Sequence, residues 1–323
     1  MSKFLVTGAA GFIGINTVEF LLNSGHKVIG VDNFCTSDRD IYYKAVKKYK
    51  NKDRYHFDIL ELCISRFVMM YFKEFKPDYV IHLAAIPSVF RSVENPEKSI
   101  LNNIVSTLNV AEACREIGIK RLVYAGSSSY YGGESSVGKN IDPAKIAPLC
   151  KSPYAASKAG SELLLNSYYH TFKLPVVILR YFNVFGKCQN PNSQYSAVIP
   201  AFITSVLANK SPIIYGDGKQ SRDFTYVENV ALANYLACIG DTGAIGRTFD
   251  VGCGNTTNLL ELLDNICKII GKKVSPVFKN ARNGDVAFSK ADISWISSFL
   301  GYKPLMSLEE GLNLILYSEK VVK

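Results

Sequence analysis

Short apolar segments alternate with helix-forming segments through the first 180 residues, and this alternation restricts the possible folds more than any other feature of the sequence. The apolar segments that read as strands cover residues 3–7, 27–31, 54–58, 79–83, 120–125 and 175–180. The segments with helical periodicity cover residues 12–24, 38–50, 61–74, 98–117 and 153–172. Strands that alternate with helices favour a parallel sheet covered by helices on both faces. The sequence therefore predicts an α/β fold with a doubly wound parallel sheet over residues 1–180.

After residue 180 the pattern becomes irregular. The segment "TNLLELLDNICKIIG" predicts an amphipathic helix, and "PAFITSVLA" and "VENVALANYLACI" also have helical patterns. We expect residues 181–323 to form mainly a smaller α/β domain. The pattern leaves open whether part of this stretch returns to the first sheet.

Composition and charge exclude several classes of protein. The chain has 323 residues, of which 48% are hydrophobic and 20% charged, as is typical of globular proteins. It contains no apolar run of about 18 residues, so we predict no membrane-spanning segment and no membrane partner. The net charge is +9, but the lysines are dispersed apart from a cluster at residues 44–52. We interpret that cluster as solvated surface and predict no nucleic-acid partner.

The cysteines and histidines form no ligand pattern. No two of the eight cysteines lie within four residues of one another, and the four histidines are scattered. We therefore predict no metal site. Reduced, unpaired thiols in a chain of this length indicate a cytoplasmic location.

The segment "FLVTGAAGFIG", residues 4–14, predicts a phosphate-binding turn between a strand and a helix. Glycines permit a tight turn and bring backbone N–H groups close to a diphosphate at the helix start. The predicted contacts are Gly8, Gly11, Phe12, Ile13 and Gly14. This pattern makes the predicted sheet Rossmann-type and its ligand a dinucleotide.

The end of the second predicted strand, "GVDNF", indicates which dinucleotide binds. Asp32 can accept hydrogen bonds from the adenosine ribose hydroxyls, and its carboxylate would repel a 2′-phosphate. Asn33 supplies no basic side chain to reverse that preference, so the predicted cofactor is NAD. Asp58, at the end of the third predicted strand, is a candidate adenine contact, and capping of the next helix is an equal alternative.

The segment "SPYAASKAG", residues 152–160, raises the question of acid–base chemistry. Ser152 is a good helix cap and Pro153 suits the first helical position, so Tyr154 and Lys158 share one helix face. A nearby ammonium group favours the phenolate and lowers the pKa of a tyrosine. A chance pairing on a surface helix is the alternative, and this segment alone does not decide between the two.

The order of several further motifs carries a resemblance. After the glycine turn come "VDN", "HLAA", "AGSSSYYG", "YAASK", "LRYFNVFG", "YGDGKQSRDFTYVEN" and "RNGDVAFSKADIS". With these motifs the chain resembles the extended short-chain dehydrogenase/reductases, and within them the NAD-dependent nucleotide-sugar epimerases, nearly from end to end. It departs from that pattern in residues 133–151, which are longer and less acidic than expected, and in the pair Tyr130 and Tyr131 before Gly132.

The resemblance implies roles for particular residues. Ser127, or its neighbour Ser128, would share the substrate hydroxyl with Tyr154, while Lys158 would hold the nicotinamide ribose. Further cofactor contacts are implied at Ile59, Ala84 and Ala85. The residues implied to bind the nucleotide-sugar are Asn183, Val198, Tyr215, Arg222, Arg282, Asp285 and Ser289. Arginines suit a diphosphate because they donate several hydrogen bonds and do not titrate.

The implied function is that of a UDP-sugar 4-epimerase, closest to the UDP-N-acetylglucosamine 4-epimerases. Such an enzyme interconverts UDP-N-acetylglucosamine and UDP-N-acetylgalactosamine through a 4-keto intermediate with bound NAD, and activity on UDP-glucose and UDP-galactose is left open. UDP-glucuronate 4-epimerases, dehydratases and decarboxylases of the same family are alternatives, although Ser128 and Ser129 stand where dehydratases place Asp and Glu. A non-catalytic dinucleotide sensor or RNA-binding protein is the alternative from another class. The resemblance also implies a homodimer formed through residues 98–117 and 153–172.

Overall fold

A computed structural model of the chain describes residues 1–49, 53–133, 142–190, 198–281 and 286–320. Its strands are β1 (Lys3–Thr7), β2 (Lys27–Asp32), β3 (Tyr55–Ile59), β4 (Tyr79–His82), β5 (Arg121–Ser127), β6 (Val176–Tyr181), β7 (Asn183–Phe185), β8 (Ile213–Tyr215), β9 (Ser221–Arg222), β10 (Phe224–Tyr226), β11 (Thr248–Val251), β12 (Thr257–Asn258), β13 (Val277–Lys279) and β14 (Phe288–Ser289). Its helices are α1 (Phe12–Asn23), α2 (Arg39–Val46), α3 (Ser65–Phe75), α4 (Val89–Glu94), α5 (Pro96–Ile117), α6 (Pro153–Phe172), α7 (Val198–Leu207), α8 (Val227–Ile239), α9 (Leu259–Ile270), α10 (Ser294–Leu300) and α11 (Leu308–Lys320).

Seven parallel strands form the central sheet, in the order β11, β6, β5, β4, β1, β2, β3. The order reverses between β1 and β4, which leaves a crevice at the carboxyl ends of these strands. Helices α1 and α8 pack on one face of the sheet, and α3, α5 and α6 pack on the other. The predicted Rossmann-type doubly wound sheet is confirmed.

Beyond β6 the chain builds a second group of elements around its own core. Phe202 of α7, Leu262 of α9 and Leu312 of α11 are buried in one apolar cluster. Small strand pairs lie beside it: β7 with β10, β8 with β13, and β9 with both β12 and β14. β11 instead pairs with β6, so the chain after residue 180 contributes one strand to the central sheet.

Two helices differ from the sequence prediction near the crevice. The helix predicted over 61–74 begins at Ser65, because the preceding residues form a turn in which the Glu61 carboxylate accepts a hydrogen bond from the Cys63 N–H. The helix predicted over 98–117 begins at Pro96, where the Asn95 side chain accepts a hydrogen bond from the Lys98 N–H. No described helix is both long enough and apolar enough to cross a membrane.

Candidate active site

The turn between β1 and α1 is so tight that side chains do not fit at two of its positions. Gly8 has a φ of +68°, and a Cβ atom on it would lie 2.8 Å from the backbone nitrogen of Ala84. A Cβ atom on Gly14 would lie 2.0 Å from the carbonyl oxygen of Gly8. Gly11 caps α1 without a side-chain hydrogen bond, so the first N–H groups of α1 have no side-chain acceptor there. This geometry suits a phosphate group.

A cavity runs from this turn to the start of α6. Five predicted site residues on its wall belong to the turn: Gly8, Gly11, Phe12, Ile13 and Gly14. The others follow the next strands or lie on α6: Asp32, Asn33, Ala84, Ala85, Tyr154 and Lys158. The fold therefore brings these widely separated residues into one crevice.

Asp32 ends β2 with its carboxylate against the glycine turn. The carboxylate accepts hydrogen bonds from the N–H groups of Ala10 and Phe34 at 3.1 and 2.7 Å, and from the Ser37 hydroxyl at 3.2 Å. Burial raises the pKa of Asp32, and these hydrogen bonds act in the opposite direction. A carboxylate held in this way suits the ribose of a dinucleotide.

Asp58 and Ile59 do not lie on the wall of this cavity, so the adenine contact of Asp58 and the cofactor contact of Ile59 stay predictions. The Asp58 carboxylate accepts a hydrogen bond from the Tyr71 hydroxyl at 2.9 Å and pairs with His56, while the Ile59 side chain is exposed. The wall is formed slightly further along the chain, by residues 60–63. Glu61 in this turn was missed, although its carboxylate accepts a hydrogen bond from Asn33 at 2.7 Å.

The start of α6 has the local structure that the sequence predicts. The Ser152 hydroxyl accepts a hydrogen bond from the Ala155 N–H at 3.1 Å, and Pro153 occupies the first helical position. Tyr154 and Lys158 follow on one face of the helix. Both side chains reach the cavity.

Lys158 is held by backbone and aromatic contacts rather than by an acid. Its Nζ donates a hydrogen bond to the Ala125 carbonyl oxygen at 2.8 Å and lies 5.0 Å from the centre of the Tyr124 ring. Burial lowers the pKa of Lys158 to about 7. The imidazole of His82 is also buried nearby, and burial lowers its pKa to about 3, so it is neutral.

Tyr154 has the opposite pKa shift from the one that the sequence predicts. Burial raises the pKa of its phenol, and a hydrogen bond with Ser127 lowers it by less. Lys158 contributes no lowering of this pKa, and loss of solvation is the largest effect on the phenol. Ser127 ends β5 and accepts a hydrogen bond from the Ser129 hydroxyl at 2.8 Å, while Ser128 begins the turn that follows.

Three predicted substrate residues lie on strands that meet at the backbone of one buried residue, Asp223. The Asn183 N–H donates to the Asp223 carbonyl at 3.1 Å, and the Asp223 N–H donates to the Ser289 carbonyl at 2.8 Å. Ser289 pairs with Arg222 across β14 and β9. Asp223 was missed by sequence reasoning, yet its carboxylate accepts hydrogen bonds from the N–H groups of residues 253, 254 and 291.

The remaining predicted substrate residues are more scattered. Tyr215 ends β8 and Val198 begins α7, and neither lies on the wall of the cavity described above. Asn183, Arg222 and Ser289 also lie outside that wall, so the wall contains residues predicted to bind the cofactor and none of these three. Arg282 and Asp285 lie outside the described residues.

The residues on the cavity wall fit NAD. The glycine turn accommodates a diphosphate, and the buried Asp32 carboxylate can accept hydrogen bonds from ribose hydroxyls. Lys158 uses one N–H on Ala125, which leaves the other donors of the ammonium group for the second ribose. Tyr154 stands at the same end of the cavity, where a proton could leave or join a substrate hydroxyl.

Comparison with known proteins gives consistent results. The model of the NAD dependent epimerase/dehydratase family matches residues 4–252. A UDP-glucuronate 4-epimerase of Thermodesulfobacterium geofontis is 36% identical over 315 residues, which are 97% of this chain and 94% of that protein. A UDP-glucose 4-epimerase of Mycolicibacterium smegmatis is 33% identical over 96% of each chain.

Two solved structures match almost completely. The UDP-N-acetylglucosamine 4-epimerase from Methanobrevibacter ruminantium M1, in complex with UDP-N-acetylmuramic acid, has a TM-score of 0.89 and 34% identity over 100% of this chain and 99% of that one. The UDP-glucuronic acid 4-epimerase from Bacillus cereus, in complex with UDP-glucuronic acid and NAD, has a TM-score of 0.89 and 31% identity over 99% of this chain and 100% of that one. The resemblance inferred from the motifs is thus confirmed, and the chain belongs to the NAD dependent epimerase/dehydratase family of enzymes, with NAD as its cofactor.

Proposed function

We propose that the protein is a UDP-sugar 4-epimerase in which Tyr154 moves the proton of the sugar's 4-hydroxyl group. The observation that carries this proposal is that Tyr154 and Lys158 lie together on the wall of the cofactor cavity, with Ser127 near the phenol. Relatives from several organisms that match nearly the whole chain are named as epimerases of UDP-sugars. A binding module without catalysis has no need to retain all three side chains.

The residues divide the chemistry as follows. NAD, held by the glycine turn, Asp32 and Lys158, would supply the hydride acceptor and donor for C4 of the sugar. Tyr154 takes the hydroxyl proton and gives it back, acting first as a base and then as an acid. Ser127 orients the hydroxyl group beside the phenol, and Lys158 holds the nicotinamide ribose with the N–H groups that Ala125 leaves unused.

The UDP group is proposed to bind where Asn183, Arg222 and Ser289 approach each other. The side-chain amide nitrogen of Asn183 is buried and has no hydrogen-bond partner among the described residues, which favours a role as a donor to a ligand. Arg222 and Arg282 supply the cationic donors that a diphosphate requires, and Asp285 can accept from the uridine ribose. We place Tyr215 near the uracil and Val198 beside the sugar.

We further propose that the preferred substrates are UDP-N-acetylglucosamine and UDP-N-acetylgalactosamine. Ser289 stands on β14 directly opposite Arg222, and enzymes that resemble this chain but accept only simple hexoses are expected to place a bulky tyrosine there. A serine leaves room for an acetamido group at C2. A small residue admits a C6 carboxylate equally well, which makes UDP-glucuronate the competing substrate.

Proton NMR of the product pool tests both the 4-epimerase reaction and the preferred substrate. The purified protein is incubated without external oxidant with UDP-N-acetylglucosamine, UDP-glucose or UDP-glucuronate, and the configuration at C4 is read from the spectrum. We expect inversion at C4, fastest with the acetamido sugar. A 4-keto-6-deoxy product, or no reaction with any of the three, contradicts the 4-epimerase proposal, and a higher kcat/KM for UDP-glucuronate contradicts only the substrate preference.

Replacing Ser289 tests the steric argument directly. Ser289→Tyr should sharply reduce kcat/KM for UDP-N-acetylgalactosamine and spare UDP-galactose, because the phenol ring would fill the space of the acetamido group. Ser289→Ala is the matched control, since it removes the hydroxyl and keeps the volume. A ratio of the two kcat/KM values that Ser289→Tyr leaves unchanged would show that this position does not set the preference.

We also propose that two copies pair through α5 and α6. These helices pack against each other and expose a group of apolar side chains: Ile100, Leu101, Leu108 and Leu163. Burial of such surface favours association by about 25 cal/mol per Å². Light scattering should give the mass of a dimer for the wild type and a smaller mass for Leu163→Glu at the same concentration, and a monomeric wild type contradicts the proposal.

A further inference from the structure

The turn after β5 rests on a buried guanidinium group. We call residues 127–132 the serine turn, because it begins with Ser127. The side chain of Arg180, on β6, is fully buried, and its Cζ lies 3.5 Å from the centre of the Tyr130 ring and 4.9 Å from that of Tyr131. A desolvated cation on an aromatic face is attracted by the ring quadrupole. Tyr130 therefore fixes the turn on Arg180 by the face of its ring.

Arg180 is in turn fixed to the helix that carries Tyr154. Its Nε donates to both carboxylate oxygens of Glu162, at 3.1 and 3.2 Å. Glu162 lies on α6 one turn after Lys158 and is itself buried. The contact of Tyr130 with Arg180 thus joins the serine turn to α6 through one rigid, planar group.

The same aromatic side chain also joins the serine turn to the segment that precedes α6. The Tyr130 hydroxyl donates to the Ile146 carbonyl oxygen at 3.1 Å, and the Tyr130 carbonyl accepts from the Leu149 N–H at 2.8 Å. Arg180 donates to the Pro143 carbonyl oxygen at 2.9 Å. This segment belongs to the stretch, residues 133–151, in which the chain departs from the resemblance, and Tyr130 is part of the other departure. The two parts of the chain that depart from the resemblance therefore contact each other.

We propose that Tyr130 is a positioning residue that sets the place of the Ser127 hydroxyl relative to the Tyr154 phenol. Ser127 and Tyr130 are three residues apart in one short turn, and the Tyr130 ring on Arg180 is one of two contacts that relate this turn to α6. The other is the hydrogen bond that Arg180 donates to the Tyr131 hydroxyl at 2.7 Å, which the Tyr130 variants leave in place. Proton transfer requires a hydrogen-bonded geometry, and a misplacement of about 1 Å can cost up to about 100-fold in rate. This inference rests on the proposed 4-epimerase function and assigns Tyr130 no contact with the substrate.

The test separates the effect of the aromatic ring of Tyr130 from the effects of its side-chain volume and of its hydroxyl group. Tyr130→Leu keeps an apolar side chain and removes the aromatic face, and Tyr130→Phe keeps the face and removes the hydroxyl. Tyr168→Leu is the matched control, because Tyr168 is a buried tyrosine nearer the other end of α6. Bound NAD, the thermal midpoint, and kcat and KM for the best UDP-sugar are measured for each holoenzyme.

We expect Tyr130→Leu to lower kcat about tenfold with bound NAD and KM unchanged, and Tyr130→Phe to restore kcat to within about twofold of wild type. Tyr168→Leu should lower the thermal midpoint and leave kcat alone. A folded, NAD-loaded Tyr130→Leu protein with wild-type kcat overturns the proposal, as does a Tyr130→Phe protein that loses about tenfold in kcat. If Tyr130→Leu does not fold, Tyr130→Met replaces it, since methionine adapts to irregular space. If neither variant folds, the kcat of Tyr130→Phe alone decides whether the proposal stands. A wild type inactive on every UDP-sugar overturns the proposed function instead.

Discussion

Replacing Lys158 with methionine should stabilise the NAD-free protein near neutral pH, although it removes the group that we propose holds the nicotinamide ribose. The Lys158 side chain is 4% exposed, and its Nζ donates to the Ala125 carbonyl at 2.8 Å. The described part of the chain gives it no carboxylate partner. A buried cation with no anion beside it destabilises the folded state. Methionine has a similar length and no charge.

The magnitude follows from the pKa of Lys158. Burial lowers this pKa from 10.5 to about 7, so below pH 7 the folded protein pays about 5 kcal/mol for holding the proton. Between pH 7 and pH 10.5 the unfolded chain binds this proton more tightly than the folded chain, so the stability of the wild type rises with pH. Above pH 10.5 Lys158 is neutral in both states, and the free-energy cost of burying its charge vanishes. Methionine leaves the Ala125 carbonyl without its donor, which costs about 1–3 kcal/mol. The net gain is about 2–4 kcal/mol at acidic pH.

Urea unfolding of the NAD-free protein at about pH 6 and about pH 9.5 measures this effect. The stability advantage of Lys158→Met should be large at the lower pH and small at the higher one. Lys151→Met, at an exposed position just before α6, is the control and should change stability by no more than about 0.5 kcal/mol. The reasoning is refuted if Lys158→Met is less stable than wild type at the lower pH, or if its advantage is the same at both.

Three further predictions concern the same crevice. Tyr154→Phe should lower kcat at least about 100-fold with NAD still bound, as steady-state kinetics and the absorbance of released cofactor can measure. Ser127→Ala should move the acidic limb of the kcat–pH profile to higher pH, because the Ser127 hydrogen bond lowers the pKa of Tyr154 and the deprotonated phenol is the base. An acidic limb that does not move would show that this hydrogen bond is absent during turnover. Gly14→Ala should abolish NAD binding in a calorimetric titration, because its Cβ would lie 2.0 Å from the Gly8 carbonyl oxygen.

The sheet could be predicted because most of its strands are buried along most of their length and therefore read as continuous apolar runs. β6 is one such strand, with all six residues buried. Helix α4 gave no such signal, because Val89, Phe90 and Val93 are exposed and its apolar residues form no buried stripe. β11 is short and fully buried, but its partner β6 lies about 70 residues earlier, and no local pattern encodes that pairing.

Residues of the candidate site could likewise be predicted only where their geometry depends on neighbouring residues in the sequence. The glycine turn and the pair Tyr154 and Lys158 could be predicted because their geometry is local: a strand-to-helix turn in one case and one helical turn in the other. Asp223 and Arg180 could not, because most of their partners lie 30 or more residues away in the sequence. An ionisable residue inside an apolar run, as Arg180 is in "PVVILRYFNVF", is the one signal that could have pointed to a buried partner.

Burial shifts Tyr154 and Lys158 in opposite directions, each towards its neutral form. A 4-epimerase needs one group to remove a proton from the 4-hydroxyl and to return it within a single turnover, so neither protonation state of that group can be too stable. Burial raises the pKa of the Tyr154 phenol and so favours its protonated form, while the hydrogen bond with Ser127 acts in the opposite direction and favours the phenolate that the base step requires. In the proposed chemistry the placement of Ser127 therefore matters beside that of the tyrosine, and we expect the contacts that hold the serine turn on Arg180 to matter through it.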